Sequence, residues 1–332
     1  MTTEATPARV GIVGAGIAGL AAARVLTEAG LKVTVLDKGR SVGGRLATRR
    51  LDDVGAVADH GAQFFTVRSP EMADLRDQLD RDGLLFEWNR GFGDVPDGHP
   101  RYAIAGGMNR LAKWLAEPLT DIRCGWTATS VSETPDGAVH LASDDESFDV
   151  DAVVITSPLP QTLALLGAES TATADQRAHL ESVEYDPTLA LLAACSVPVD
   201  LGIAGARRYE AGPLSIIVDN STKHVGSSPS ITAHAAADWS RSHWDDSDED
   251  VVALLAALVH AELGTAQLLI HPQLKRWRYA TPVTTLTDRF MTVHSPGSGR
   301  IVLAGDAFGG PKVEGAYLSG LAAGRHIAEV TG

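Results

Sequence analysis

The 332-residue sequence predicts an α/β fold, in which a domain with a parallel sheet is joined to an α+β domain with a mixed or antiparallel sheet. Three observations lead to this prediction. A glycine-rich turn between a short apolar strand and an alanine-rich helix lies near the N-terminus. A buried strand that ends in Gly-Asp precedes the last helical stretch. Between these ends, short apolar strands alternate with polar loops.

The N-terminal turn has the G-x-G-x-x-G spacing, with Gly14, Gly16 and Gly19 as its three glycines. The first glycine permits a tight turn, the second permits close approach of a pyrophosphate, and the third permits close packing of the helix on the strand. A helix over 17–29 should end at Gly30, and a strand over 32–36 should follow it. That strand ends in Asp37, 23 residues after Gly14, where a carboxylate can hold ribose hydroxyls. The pattern therefore predicts a Rossmann-like, dinucleotide-binding domain.

A loop with two adjacent glycines and an arginine, Gly43-Gly44-Arg45, follows the second strand, and its N–H groups and guanidinium suit an anionic group. Asp59–Phe65 is predicted as a turn that enters an apolar strand. Ser69 and Pro70 predict the start of an amphipathic helix. The remaining elements predicted in this half are a helix over 69–82, a strand over 84–88, a helix over 106–115, a hairpin of 126–131 and 138–141, a strand over 148–156 and a helix over 161–166.

The middle of the chain, from about residue 168 to 286, predicts an antiparallel sheet under helices. Its strands are predicted over 189–195, 214–218, 231–234 and around 276–279. The acidic run Ser247–Asp250 is interpreted as the capped start of a helix over 251–263. A strand over 300–304, Gly305-Asp306 and a helix over 314–330 complete the chain.

Composition excludes several classes of protein. A formal net charge of -14 argues against general binding to nucleic acid or to an anionic membrane surface. Cys124 and Cys195 lack the spacing of a metal site or a redox pair, which indicates a reducing compartment and no bound metal. The short polar N-terminus does not look like a signal peptide, so we expect a cytoplasmic protein, a monomer or a homodimer.

The order of these motifs resembles that of FAD-dependent oxidoreductases of the amine oxidase type. Within that set, four segments are similar to those of renalase-like flavoproteins: Asp59–Phe65, His234 with Asp238-Trp-Ser240, Arg276–Ala280, and Val313–Gly320. The resemblance implies an FAD-binding domain of the glutathione reductase/amine oxidase type, made of residues 1–68, 101–165 and 290–332. Residues 69–100 and 166–289 would form the substrate domain.

The resemblance also implies a set of cofactor residues. Arg45 would contact the pyrophosphate, Val131 the adenine, and the helix that begins near Glu314 the flavin pyrimidine edge. No cysteine follows Cys195, so the FAD is expected to be non-covalent. The cofactor residues are Gly14, Gly16, Ile17, Ala18, Gly19, Asp37, Lys38, Gly44, Arg45, Gln63, Val131, Gly305, Asp306, Glu314, Gly315 and Ala316.

Renalase-like enzymes imply a reaction as well: oxidation of the 2- and 6-dihydro isomers of NAD(P)H by hydride transfer to flavin, with dioxygen as the acceptor. Hydride loss makes the nicotinamide ring aromatic, so positioning matters more than acid–base catalysis. The residues expected to position the substrate are Asn220, His234, Trp277, Tyr279 and Gln63. Arg276 and Arg278 fall on the opposite face of their strand from Trp277 and Tyr279, so only one pair can face the flavin.

Other readings remain open at this point. An amine oxidase or a desaturase would use the same FAD domain, and Lys312 is the lysine closest to the terminal flavin motif. A redox sensor that binds FAD without catalysis belongs to another class, and would protect its flavin from substrates.

Overall fold

The computed structural model describes residues 7–51, 55–92, 97–167, 172–264, 269–293 and 300–331. The chain divides into two compact units. The first consists of Met1–Gly44, Ala112–Glu184 and Pro282–Gly332, and the second of Arg45–Leu111 and Tyr185–Thr281. Among the described residues, no helix is both long and apolar enough to cross a membrane.

The strands, in chain order, are β1 Arg9–Val13, β2 Lys32–Asp37, β3 Thr48–Leu51, β4 Ala56–Asp59, β5 Leu85–Asn89, β6 Arg101–Ile104, β7 Ile122–Cys124, β8 Ser130–Glu133, β9 Val139–Ala142, β10 Ser147–Val150, β11 Ala152–Ile155, β12 Tyr185–Cys195, β13 Ala206–Arg208, β14 Leu214–Asp219, β15 Ser230–Ala235, β16 Leu269–Pro282, β17 Met291–Val293 and β18 Ile301–Leu303. The helices are α1 Ile17–Glu28, α2 Pro70–Arg81, α3 Asn109–Ala116, α4 Leu159–Leu166, α5 Ala174–Glu181, α6 Ala237–Ser242, α7 Asp248–Leu263 and α8 Lys312–Thr331.

The first unit contains a sheet in the order β17-β18-β11-β1-β2-β7. Strand β1 runs parallel to both β2 and β11, and β11 runs parallel to β18. Helices α1 and α8 pack closely at Gly320, where a Cβ would lie only 2.0 Å from the carbonyl oxygen of Ala18. The absence of a side chain at Gly320 permits this approach. The predicted Rossmann-like domain is thereby confirmed.

One predicted element of this unit is wrong in its extent. The apolar stretch 148–156 is not one strand, because β10 pairs antiparallel with β9 in a small sheet while β11 pairs parallel with β1. Asp151 lies between the two strands and accepts a hydrogen bond from the backbone N–H of Arg9 at 2.7 Å. A change of sheet at one residue leaves no trace in the hydrophobic pattern.

The second unit contains a sheet in the order β13-β14-β15-β12-β16, in which β13, β14, β15 and β12 pair antiparallel. Its core packs the inner residues of β12, β14 and β15 against Val251, Leu255 and Val259 of α7. The interpretation of Ser247–Asp250 as a capped helix start is confirmed, since the Ser247 side chain accepts a hydrogen bond from the Asp250 N–H. The predicted α+β domain with an antiparallel sheet is also confirmed.

The boundaries of the two units differ from the predicted domains. Residues 45–68, predicted within the first domain, pack in the second unit, where Leu51, Ala56 and Ala58 of β3 and β4 form a cluster with Leu192 and Ala194. Residues 101–111 also join the second unit, and 166–184 and 282–289 join the first. These assignments depend on contacts between distant parts of the chain, which composition does not reveal.

Candidate active site

The glycine-rich turn of the first unit is closed by its neighbours in the sheet. Gly14 has a φ of 109°, and its N–H donates to the Leu36 carbonyl at 2.7 Å. The Asp37 carboxylate accepts from the Ala15 and Gly39 N–H groups, both at 2.6 Å. Asp37 therefore ties the turn after β1 to the loop after β2, and it lies where a dinucleotide ribose would be expected.

The terminal motif of the first unit lies at the same edge of the sheet. Strand β18, which precedes Gly305 and Asp306, is separated from β1 by β11 alone, and all three run parallel. Gly305 donates its N–H to Ser319 Oγ at 2.8 Å, and Asp306 is buried. A Cβ on Gly315 would lie 1.9 Å from the Gly310 carbonyl oxygen, so the loop before α8 packs on the first turn of that helix. Ends of the chain that are some 290 residues apart thus meet at the carboxyl edge of one sheet.

In the second unit, most of the predicted substrate residues lie next to segment 59–63, which begins at the last residue of β4. Gln63 lies within it, and its amide is fully bonded there: Nε2 donates to the carbonyl oxygens of Asp59 and Gly61 at 2.8 and 3.0 Å. Its Oε1 accepts from Lys223 Nζ at 2.8 Å. Gln63 therefore holds the segment in one conformation.

Asn220 contacts the same segment. Its Oδ1 accepts from the Asp59 N–H at 3.2 Å, and its Nδ2 donates to Thr232 Oγ1 at 3.1 Å. The side chain is 1% exposed, so a substrate contact by its amide has to replace one of these bonds. The role of Asn220 toward a substrate stays a prediction.

Trp277 and His60 form a stacked pair at the other side of the segment. Their ring centroids lie 5.4 Å apart with an interplanar angle of 19°, and the Trp277 indole N–H donates to the His60 carbonyl at 2.7 Å. Tyr279, two residues along β16, packs edge-on against Tyr185. Its carbonyl accepts from Arg45, whose own carbonyl accepts from the Ala62 N–H.

His234 lies on β15, two residues after Thr232, whose hydroxyl donates to the Asp59 carbonyl at 2.7 Å. Alternation along the strand places His234 on the same face, toward His60. Burial, together with the positive charges of Lys275 and Arg49, lowers the pKa of His60 to about 3, and burial lowers the pKa of His234 to about 4. Both imidazoles are therefore neutral at physiological pH, and the neighbouring cations contribute to the neutrality of His60.

The alternation along β16 predicted from the sequence is confirmed. Arg276 bonds Asp248 and the Trp244 carbonyl, and the Arg278 guanidinium lies 4.9 Å from the centroid of the Trp244 ring. Lys275 lies on the opposite face, with Nζ 4.9 Å from the centroid of the Trp277 ring. Arg276 and Arg278 therefore contact residues between α6 and α7 and at the start of α7, on the face of β16 opposite to Trp277.

The ion pair at the centre of this site could not be predicted from the sequence. Lys223 is fully buried, and its Nζ lies 2.9 Å from Asp59 Oδ2. Asp59 Oδ1 accepts from Thr48 Oγ1 and from the Met108 N–H. The lysine falls in a polar stretch that is typical of a solvated loop, so only the folded chain identifies it.

Two family models match this chain. A family model for an NAD(P)-binding Rossmann-like domain matches residues 12–79, and one for flavin containing amine oxidoreductases matches residues 84–328, more than half of the chain. The chain belongs to the flavin-containing amine oxidoreductase family.

Relatives and solved structures agree with this assignment. Protoporphyrinogen oxidase 2 of Arabidopsis thaliana is 45% identical over 71 residues, which cover 21% of this chain and 14% of that protein. Cyclohexylamine oxidase from Brevibacterium oxydans superposes with a TM-score of 0.71 at 14% identity, covering 98% of this chain and 99% of that one. Putrescine oxidase bound to putrescine gives a TM-score of 0.71 at 16% identity, with the same coverage. At such identities, the structural matches establish the fold.

The family implies a flavin cofactor, FAD, and the turn after β1 of this flavin amine oxidoreductase fits one. Gly16 has an ordinary φ of −76°, and a Cβ on it would meet no atom within 4 Å. The fold itself therefore does not require glycine at this position, whereas a closely approaching phosphate does. No side chain caps the α1 N-terminus, and its first turn has no acidic residue. Such an end suits an anion.

Proposed function

We propose that this flavin amine oxidoreductase oxidises a reduced nicotinamide dinucleotide, specifically the 2- and 6-dihydro isomers of NAD(P)H, with dioxygen as the acceptor. The overall reaction consumes the dihydronicotinamide, a proton and dioxygen, and it yields NAD(P)⁺ and hydrogen peroxide. When bound, FAD supplies a hydride acceptor that dioxygen reoxidises.

The FAD would be held non-covalently by residues of both halves of the first unit. Gly14, Gly16 and the N-terminus of α1, with Ile17, Ala18 and Gly19, would bind the pyrophosphate, and Asp37 and Lys38 the adenosine side. Gly44, Val131, Gly305, Asp306 and Glu314–Ala316 would complete the site. Burial raises the pKa of the Cys195 thiol to about 12 and that of Cys124 as well, so neither is a ready thiolate for a covalent link.

The observation that carries the substrate proposal is the charge beside the His60–Trp277 pair. Ala47 pairs with His60 in the β3–β4 hairpin, which places Arg49 as its diagonal neighbour on the same face. Lys275 lies over the Trp277 ring, and both cations lower the pKa of His60. Two cations repel the ammonium group of an amine and attract the pyrophosphate of a dinucleotide.

The chain's own residues would act by positioning. Trp277 would line the substrate pocket, and its bond to the His60 carbonyl fixes the tilt of the indole. His60 and His234 are neutral imidazoles near pH 7, so neither would supply a proton from an imidazolium. Removal of hydride requires no base, because the product ring is aromatic.

The test is anaerobic mixing of the FAD-loaded protein with 2- and 6-dihydroNAD(P), ordinary NADH, putrescine, cyclohexylamine and an L-amino acid, with the flavin absorption band as the readout. We expect rapid bleaching by the dihydro isomers alone. Bleaching by an amine would instead establish an amine oxidase, the second candidate, which the family assignment favours. A flavin that none of these compounds bleaches would identify a redox sensor.

A further inference from the structure

We propose that Lys223, paired with Asp59, is a positioning residue that fixes segment 59–63 in its working conformation. Its importance for the reaction rests on the proposed function, whereas its effect on the conformation of the segment does not. Lys223 belongs to a short 3-10 turn, Asn220–Lys223, that follows β14. Its side chain crosses from that turn to the end of β4.

The Lys223 ammonium donates hydrogen bonds and accepts none. Its Nζ donates to Asp59 Oδ2 at 2.9 Å and to Gln63 Oε1 at 2.8 Å. The Gln63 amide therefore has to turn its oxygen toward Lys223 and its nitrogen toward the carbonyls of Asp59 and Gly61. A flipped amide would place N–H groups against the ammonium and remove the hydrogen bonds that Nε2 donates to the Asp59 and Gly61 carbonyls.

Both carboxylate oxygens of Asp59 are hydrogen-bonded. One carboxylate oxygen is bound by Lys223, and the other by Thr48 Oγ1 and the Met108 N–H at 2.5 and 2.9 Å. Gly107 shows how tight this packing is, since a Cβ there would lie 2.6 Å from Thr48 Oγ1. Strand β3, the start of α3 and the 220–223 turn thus all meet at one carboxylate, and the lysine neutralises its charge.

The hydrogen bonds around Asp59 connect through the main chain to the groups that would face a substrate. His60 follows Asp59 directly, and its carbonyl accepts the Trp277 indole N–H. The amide of Ala62 donates to Arg45. If Gln63 loses its fixed orientation, the backbone between Asp59 and Gln63 loses two internal bonds, and the acceptor of Trp277 moves with it.

The experiment compares three variants in the full-length protein. The double variant D59N/K223M removes the ion pair without leaving a lone buried charge. Q63M removes the hydrogen bonds of the Gln63 amide and keeps the ion pair. S240A is the matched control, because Ser240 is fully buried and bonds the Leu189 N–H in the same unit but does not contact segment 59–63. Urea unfolding reports the stability of each variant.

Two readouts separate positioning from stability. In the apoprotein, hydrogen–deuterium exchange of the peptide that covers 59–65 should accelerate at least about tenfold in D59N/K223M and in Q63M, and not in S240A. In the FAD-loaded protein, flavin reduction by 6-dihydroNAD should slow about 10- to 100-fold, with a substrate Kd within about threefold of wild type.

Unchanged exchange over 59–65 in both network variants would overturn the proposal, whatever the activity. Faster exchange with wild-type flavin reduction would overturn the role in the reaction. If 6-dihydroNAD does not reduce the wild-type flavin at all, the proposed function fails, while the exchange measurement still decides the conformational role of Lys223.

Discussion

The indole N–H of Trp277 donates to the backbone carbonyl of His60, and the two rings stack at 5.4 Å, although the residues are 217 positions apart in the chain. This contact joins β16 to the segment after β4. Trp277, which is predicted to position the substrate, is thus bonded to the main chain of Asp59–Phe65, one of the segments that resemble renalase-like flavoproteins.

Replacing Trp277 by Phe tests this contact. W277F keeps an aromatic face and loses the N–H donor, so the hydrogen bond from position 277 to the His60 carbonyl is lost at a cost of about 1 kcal/mol. We expect flavin reduction to slow about tenfold, as the orientation of the ring relaxes. Stopped-flow reduction measures this rate. W239F is the control, because Trp239 packs against the core and His243, and it should react like the wild type.

The cations beside the stacked pair provide a second prediction. R49Q and K275Q should each raise the Kd of an anionic dinucleotide about three- to tenfold, and the effect should shrink in high salt. R278Q, on the opposite face of β16, should leave it unchanged. Equal affinities for all four proteins would remove the main support for an anionic substrate.

Two glycines of the N-terminal turn should behave in opposite ways. G16A places its methyl group in open space at an ordinary φ, so the apoprotein should be as stable as wild type or gain about 0.5 kcal/mol. G19A forces a Cβ to within 1.9 Å of the Gly14 carbonyl oxygen and should cost about 2 kcal/mol or more. Urea unfolding of the two apoproteins measures both effects.

The same pair separates cofactor binding from folding. FAD titration should show that G16A binds at least about tenfold more weakly than wild type, because its methyl group occupies the space a phosphate needs. A G16A protein with wild-type FAD affinity would contradict the placement of the pyrophosphate at the α1 N-terminus.

The buried histidines predict a pH dependence of stability. Burial lowers the pKa of His60 to about 3 and that of His234 to about 4, from an ordinary value of 6.5. The unfolded chain therefore binds more protons below pH 6.5, so this stability is complete above 6.5 and is lost as the pH falls toward 4. Each histidine contributes a slope of at most about 1.4 kcal/mol per pH unit.

Urea unfolding of the apoprotein between pH 7.5 and 4.5 measures this slope. Aspartates whose pKa is lowered in the fold, such as Asp121 and Asp151, titrate near or below pH 4 and contribute little in this window. The double variant H60Q/H234Q should show a flatter profile than wild type. An identical slope in both proteins would refute the assignment.

Local sequence patterns were sufficient for the fold class, and they also carry the prediction of the nucleotide site. The spacing of Gly14, Gly16 and Gly19, the carboxylate of Asp37 and the Gly305-Asp306 pair each lie within or next to one βα unit, where short-range geometry dictates residue type. The alternation along β16 likewise placed Trp277 and Arg276 on opposite faces, because a strand has a period of two.

The charges and amides around segment 59–63 depend on the tertiary structure. Lys223 and Asp59 are 164 residues apart, and a lysine in a polar stretch looks the same whether it is solvated or buried. Only the packing of the 220–223 turn on the end of β4 removes its water and pairs it with a carboxylate. Residue type and spacing thus predicted the fold class and the chain segments proposed to bind a nucleotide, while long-range contacts decided which charges and amides surround segment 59–63.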